Sequence, residues 1–177
     1  MKAVISSTGF PGRPVSINLP ASKSISNRLL IIRTLSENSF RINNLSTAKD
    51  TTTLVHLLDQ LKNNSGKENY FDTGPAGTTM RFLMGLLCVT EGTHYLTGSE
   101  RMKERPVGIL VNALKELGAE IDYTEKTGFP PVKITGKKLT GGKIILDPTV
   151  SSQFISSLMM IAPTMQNGIK INFSSKP

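Results

Sequence analysis

The chain has 177 residues, 38% of them hydrophobic, which is enough for one or two packed domains with their own cores. Its formal net charge of +8 calls for either an anionic partner or simply a basic surface. The Lys and Arg residues are scattered, and neither a stripe of interleaved aromatic residues nor a nucleic-acid motif accompanies them, so nucleic acid is disfavoured as the partner. The composition leaves two alternatives open, a small anionic ligand and a merely basic surface.

Cysteine and histidine give little sign of metal or redox chemistry. Cys88 is alone, which excludes an internal disulfide framework and a cysteine-based metal cluster. His56 and His94 are far apart and lack partners at ligand spacing, so no metal site is expected. The sequence has neither a secretory-signal pattern at its start nor an apolar run of membrane-spanning length. We therefore expect a cytoplasmic protein that does not enter a membrane.

The first third of the chain predicts strands followed by two helices. Residues 1–20 alternate apolar and polar positions around Gly and Pro, which is typical of short strands and turns. Helical spacing of apolar residues then begins, and Ser22 or Ser24 can cap the amino end of that helix. Residues 40–45 predict a short strand, and Asp50 is expected to begin a second helix with a leucine face.

A similar order of elements returns twice. The turn at 74–79 opens a helix, the strand 94–97 and a polar loop follow, and Pro106 is expected to begin the next helix. Gly118 is expected to end that helix in a left-handed conformation. A third round begins at Val150 with an apolar helix. Further strands are predicted at 121–123, 132–134, 143–146 and 169–173.

These rounds form a weak internal repeat of capped helix, strand, polar loop and second helix. In that register Pro177 would open a second helix, as Pro106 does one round earlier. The pattern therefore predicts that the chain stops inside its third repeat.

Small hydrogen-bonding residues begin the first helix of each round. The clusters are Ser22-Lys23-Ser24, Gly77-Thr78-Thr79 and Ser151-Ser152-Gln153. The unpaired N–H groups and partial positive charge of a helix amino end can hold a phosphate or a carboxylate. Taken singly, such residues are ordinary caps and turns. Their repetition, with Lys23, Arg28 and Arg105 as nearby cations, favours a multiply anionic ligand.

Other kinds of site find less support in the sequence. Gly74 and Gly77 do not have the spacing of a dinucleotide fingerprint or of a nucleotide phosphate-binding loop, so no nucleotide cofactor is expected. Asp50, Glu104 and Asp147 are isolated from one another, and no carboxylate pair suited to acid–base catalysis is apparent.

Four ordered segments resemble the 5-enolpyruvylshikimate-3-phosphate synthase family. They are residues 19–28, 74–81, 101–106 and 150–154. The resemblance implies transfer of the enolpyruvyl group of phosphoenolpyruvate to the 5-hydroxyl of shikimate 3-phosphate, on the shikimate pathway to chorismate and the aromatic amino acids. It implies no metal or organic cofactor. We expect the enzyme to be a monomer.

The resemblance also implies roles for individual residues. Shikimate 3-phosphate would be bound by Lys23, Ser24, Arg28, Ser151, Ser152, Gln153 and Ser175. Phosphoenolpyruvate would be bound by Lys23, Gly77, Arg105 and Gln153. Lys23 would also be catalytic, and Arg81 matches a family motif without an implied contact. Both substrates are anions, which agrees with the expectation from the helix amino ends.

The implied fold is α/β, with two domains built from repeated βαβαββ units, helices inside and sheets outside. Residues 1–20 would be lead-in strands belonging to or leading from the partner domain, and 21–177 a shikimate 3-phosphate-binding domain that stops in its third repeat. Most of the second domain would be missing, with its acidic groups for proton transfer. The isolated chain is then expected to bind substrate without turning it over. The alternative is a stand-alone anion-binding module without catalysis.

Overall fold

Two long helices open the described part of the chain. The computed structural model describes residues 19–38, 40–64 and 68–174. Helix α1 spans Lys23–Leu35 and helix α2 spans Lys49–Asn63. Ser22 caps α1, since its Oγ accepts a hydrogen bond from the Ile25 amide at 3.4 Å. The predicted leucine face of α2 is buried, namely Leu54, Leu57, Leu58 and Leu61.

The next segment of the chain forms a complete βαβαββ unit. Its elements are β1 (Asn69–Asp72), α3 (Gly77–Val89), β2 (Gly92–Thr97), a short helix α4 (Glu100–Lys103), α5 (Gly108–Glu116), β3 (Glu120–Tyr123) and β4 (Val132–Gly136). The strands form one sheet in the order β1-β2-β4-β3. Strands β1 and β2 are parallel, whereas β4 is antiparallel to β2 and β3. The α/β fold expected from the sequence is confirmed.

A second unit begins after this sheet. Its elements are β5 (Gly142–Leu146), α6 (Ser152–Ile161), a 3-10 turn (Ala162–Thr164) and β6 (Ile169–Phe173). Strands β5 and β6 pair in parallel, with Ile144 opposite Ile171, as β1 and β2 do in the preceding unit. The two units therefore share their βαβ beginning.

Helix α3 lies at the centre of the described structure. Eleven of its 13 residues are buried, and it packs against α1, α2, α5, α6, β2 and β4. Gly85 makes the contact with α6 possible, because a Cβ at that position would overlap Ser157 Oγ. The sheet lies outside the helices: Phe71 faces inward and is fully buried, while Tyr70 on the other face is 63% exposed.

The predicted strand at 40–45 is wrong. Residues 40–47 contain no strand, and Asn44 has a φ of 55°, in the left-handed region that extended backbone does not use. The following backbone is held by side chains: the Ser46 amide donates to Ser26 Oγ at 3.0 Å, and the Ala48 amide donates to Ser46 Oγ at 3.2 Å. These bonds lie just after the predicted strand and hold the chain that leads into α2.

Three further boundaries differ from the predictions. Strand β1 was not predicted, and α4 lies where a polar loop was expected. Helix α5 begins at Gly108 rather than Pro106, after Val107 with φ −122° and ψ 0°. Gly118 does adopt the predicted left-handed conformation, with φ 101°. Of the predicted lead-in strands at 1–20, residues 1–18 lie outside the described residues, as does Pro177, and residues 19–20 form no strand.

Candidate active site

Side-chain hydrogen bonds connect the amino ends of four helices. Lys23 Nζ, at the start of α1, lies 3.3 Å from Asp50 Oδ2 in the first turn of α2. Thr79 Oγ1, in the first turn of α3, donates to the Asp50 carbonyl at 2.9 Å. Gln153 Nε2, in the first turn of α6, donates to Thr78 Oγ1 at 3.3 Å. Four partial positive charges are therefore gathered in one region, which favours an anionic ligand.

Buried polar contacts hold this arrangement in place. Asn27 Oδ1 accepts a hydrogen bond from Thr51 Oγ1 at 2.7 Å, and both residues are fully buried. Ser26 Oγ, also buried, accepts the bond from the Ser46 amide. These bonds fix α1 against the start of α2, so the position of Lys23 relative to Asp50 rests on the core as well as on their ion pair.

Two guanidinium groups flank Gly77. A Cβ on Gly77 would lie 2.8 Å from Arg105 Nη1 and 3.0 Å from Arg81 Nη1. Arg81 Nη1 donates to the Gly77 carbonyl at 3.1 Å and to Gln153 Oε1 at 2.9 Å. Burial, and to a lesser degree the charge of Arg105, lower the pKa of Arg81 from its ordinary value. An anion between the two cations would relieve their repulsion.

Arg28 bridges α1 and α6. Its Nη1 donates to the Ser24 carbonyl at 3.0 Å and to Ser24 Oγ, and its Nη2 donates to Ser156 Oγ at 2.8 Å. The guanidinium carbon lies 5.3 Å from the centre of the Phe82 ring, in a cation–π contact. Arg28 is therefore a fixed cation between the two helices.

The remaining predicted residues lie at the start of α6 or outside the described part. Ser151 caps α6, since its Oγ accepts from the Gln153 amide at 3.4 Å, and the neighbouring Ser152 is exposed. Ser175 lies outside the described residues. The structure thus connects Lys23, Gly77, Arg105 and Gln153 through Asp50, Thr78, Thr79 and Arg81. Ser24 and Arg28 join α6 separately through Ser156.

Buried titratable groups elsewhere show ordinary core behaviour. His94 is fully buried, its Nε2 donates to the Thr90 carbonyl at 2.9 Å, and burial lowers its pKa. Burial raises the pKa of the Cys88 thiol to about 12, so the reactive thiolate is strongly disfavoured. Among residues 19–38, 40–64 and 68–174, no group of three His, Cys, Asp or Glu is placed to hold a metal ion.

No helix within the described ranges is both long enough and apolar enough to cross a bilayer.

A family profile matches most of the chain. The profile described as EPSP synthase (3-phosphoshikimate 1-carboxyvinyltransferase) matches residues 14–177. The chain belongs to the EPSP synthase family.

Proteins named 3-phosphoshikimate 1-carboxyvinyltransferase are similar over most of this chain. One from Bacteroides fragilis strain YCH46 is 48% identical over 161 residues, which cover 91% of this chain and 38% of the relative. One from Sulfurovum sp. strain NBC37-1 is 41% identical over 179 residues, covering 88% and 41%. The chain therefore spans about two fifths of the length of these relatives.

A solved EPSP synthase from Acinetobacter baumannii has a similar fold. It superposes with a TM-score of 0.77 at 22% sequence identity, over 91% of this chain and 40% of that one. At that identity the likeness supports the fold of this EPSP synthase family member and not its residue roles.

Several residues of this candidate site were not predicted from the sequence. Asp50, Thr78, Thr79 and Ser156 make contacts that cross between helices, and Arg81 contacts Gln153, although the motif alone gave it no contact. Asp50 and Thr79 were visible only as a helix start and part of a turn. Nothing in the local sequence pattern of Ser156 indicates that it lies beside Arg28, because the two are 128 positions apart.

Proposed function

We propose that this chain supplies the shikimate 3-phosphate half of an enolpyruvyl transferase, 3-phosphoshikimate 1-carboxyvinyltransferase. In the complete enzyme the 5-hydroxyl of shikimate 3-phosphate gives up its proton to a base as its oxygen bonds to C2 of phosphoenolpyruvate, while an acid donates a proton to C3. The tetrahedral intermediate then loses a proton from the C3 methyl group and inorganic phosphate from C2, which leaves the enolpyruvyl ether. The observation that carries the proposal is the linked set of helix amino ends with cations beside them.

In this proposal the residues divide between the two anions. Shikimate 3-phosphate is bound by Lys23, Ser24, Arg28, Ser151, Ser152, Gln153 and Ser175, of which Ser175 lies outside the described residues. Phosphoenolpyruvate is bound by Lys23, Gly77, Arg105 and Gln153. The two groups share Lys23 and Gln153. Lys23 also stabilises the negative charge that moves onto the leaving phosphate.

The rest of the enzyme supplies what this chain lacks. Among the described residues of the site, Asp50 supplies a carboxylate, and this carboxylate forms an ion pair with Lys23. We assign the proton donor and acceptor to a second domain, which closes over the substrates bound on residues 21–177. The chain alone then binds shikimate 3-phosphate but does not release phosphate. The complete enzyme is a cytoplasmic monomer without metal or organic cofactor.

Calorimetric titration of the 177-residue chain with shikimate 3-phosphate tests this proposal, followed by a phosphate-release assay with phosphoenolpyruvate. The expected result is binding without turnover, with binding weakened in Lys23→Ala and unchanged in Lys143→Ala, whose lysine is exposed on β5. The same assay on the complete enzyme is expected to release phosphate. Lack of activity in the complete enzyme would overturn the transferase assignment and leave an anion-binding module.

A further inference from the structure

Arg81 determines how the carboxamide of Gln153 is turned. The arginine side chain has only donors, so the atom of Gln153 that it meets at 2.9 Å must be the carbonyl oxygen Oε1. The amide nitrogen Nε2 then faces the other way, where it donates to Thr78 Oγ1 at 3.3 Å in the first turn of α3. The orientation of a group that could bind in two ways is fixed by this one contact.

Arg81 is itself held from several directions. Its Nη1 also donates to the Gly77 carbonyl at 3.1 Å, and its backbone carbonyl accepts from Ser157 Oγ at 2.8 Å. Its guanidinium lies 5.4 Å from the centre of the buried Phe154 ring. A side chain restrained in this way can restrain its neighbour, because little conformational freedom is left to lose.

The orientation matters for an anionic ligand. An amide N–H group attracts phosphate and carboxylate oxygens, whereas a carbonyl oxygen in the same place would repel them. We propose that Arg81 is a positioning residue, which turns the Gln153 amide nitrogen toward the ligand. This inference rests on the proposed function, in which Gln153 contacts both substrates. Arg81 acts through Gln153 and need not touch either substrate.

A double-mutant cycle on the complete enzyme tests the inference. We expect Arg81→Met and Gln153→Ala each to raise KM for phosphoenolpyruvate by about 10-fold or more, with a smaller change in kcat. If Arg81 acts through Gln153, Arg81→Met should add less than about 2-fold in the Gln153→Ala background. Multiplication of the two single effects would overturn the inference.

Two controls separate positioning from folding. Arg81→Lys keeps the charge and a donor, so its KM for phosphoenolpyruvate is expected to lie close to that of the unsubstituted enzyme. This variant can also be used in the cycle if Arg81→Met fails to fold. Melting temperatures of all variants are measured together with the kinetics. If activity falls in proportion to the melting temperature, whether or not Gln153 is present, then Arg81 has a merely structural role. That result would overturn the inference.

A readout without catalysis distinguishes this inference from the proposed function. In the ¹⁵N-labelled chain, the side-chain amide resonances of Gln153 report its hydrogen bonding. They are expected to shift in Arg81→Met, and to respond to inorganic phosphate in the unsubstituted chain but less in that variant. With these responses and an inactive complete enzyme, the positioning role stands and the proposed function fails. If the complete enzyme is active, the two single effects multiply and the Gln153 resonances do not change, then the proposed function stands and the positioning role fails.

Discussion

Lys23 and Asp50 form an ion pair between the amino ends of α1 and α2, with Nζ 3.3 Å from Oδ2. Asp50 lies in the first turn of α2, where the helix dipole favours a negative charge. Its backbone carbonyl accepts a hydrogen bond from Thr79 of α3, so the Asp50 backbone is also held against α3. The Lys23 side chain remains 47% exposed, and an ammonium has three donors, so one is engaged and two can reach a ligand.

Removing either partner of this pair should affect the complete enzyme differently. We expect Lys23→Ala to lower kcat/KM by at least about 100-fold, because charge-assisted contacts to a phosphate act in the transition state. Asp50→Asn should cost less, about 10-fold, since Lys23 keeps its charge but loses its anchor. Steady-state kinetics for both substrates measure these effects. Lys143→Ala is the control, and full activity of Lys23→Ala would contradict the assignment.

The space between Gly77 and its two arginines predicts a second effect. In Gly77→Ala the new Cβ would come within 3.0 Å of Arg81 and Arg105, so both guanidinium groups must shift. We expect KM for phosphoenolpyruvate to rise by about 10-fold, because charge-assisted contacts depend closely on geometry. Gly108→Ala is a matched control: that glycine also begins a helix, and its Cβ would meet nothing nearer than 3.5 Å. Equal effects of the two variants would refute this explanation.

Gly85 predicts a change in stability without a direct effect on the site. Alanine there would overlap Ser157 Oγ across the α3–α6 contact, and overpacking of this kind costs about 1–3 kcal/mol. This should exceed the gain of up to about 1 kcal/mol from replacing a helical glycine. Urea unfolding measures the difference. The cost should shrink when Ser157→Ala is added, and a cost that persists would place the strain elsewhere.

His94 predicts a loss of stability in mild acid. Burial lowers the folded pKa of His94 below the ordinary 6.5. At pH values between the folded pKa and 6.5, the unfolded chain therefore binds a proton at this group and the folded chain does not. The free energy of unfolding should therefore fall as pH drops through and below 6.5, by at most about 1.4 kcal/mol per pH unit for this group. His94→Gln can still donate to Thr90 and should reduce the slope. An unchanged slope in urea titrations would exclude His94 as its source.

Elements with strong local signals were predictable from the sequence. The leucines of α2 recur at helical spacing and are all buried, and Gly118 adopts the left-handed conformation expected of a helix end. Strand β1 was not predicted, because two of its four residues are exposed and its pairing with β2 spans 25 positions. The strand at 40–45 was wrongly predicted, because alternation does not reveal the positive φ of Asn44.

In the candidate site too, residues with local sequence signals were predictable and their long-range partners were not. Helix starts and motif cations could be found one at a time, since each has a local signature. Their partners could not, because the pairs Arg28–Ser156 and Arg81–Gln153 join positions 128 and 72 apart. Such contacts depend on how α1, α3 and α6 pack, which single-sequence periodicity does not encode.

The burial of α3 links ligand binding at its amino end to the stability of the whole core. The helix carries Gly77, Thr78 and Arg81 at one end and packs on six other elements, so this part of the site should not unfold on its own. Hydrogen exchange along α3 is then expected to follow global unfolding. A ligand held at its amino end would stabilise the whole core by mass action. The melting temperature of the chain could therefore report occupancy directly, which would allow anions to be screened without any assay of turnover.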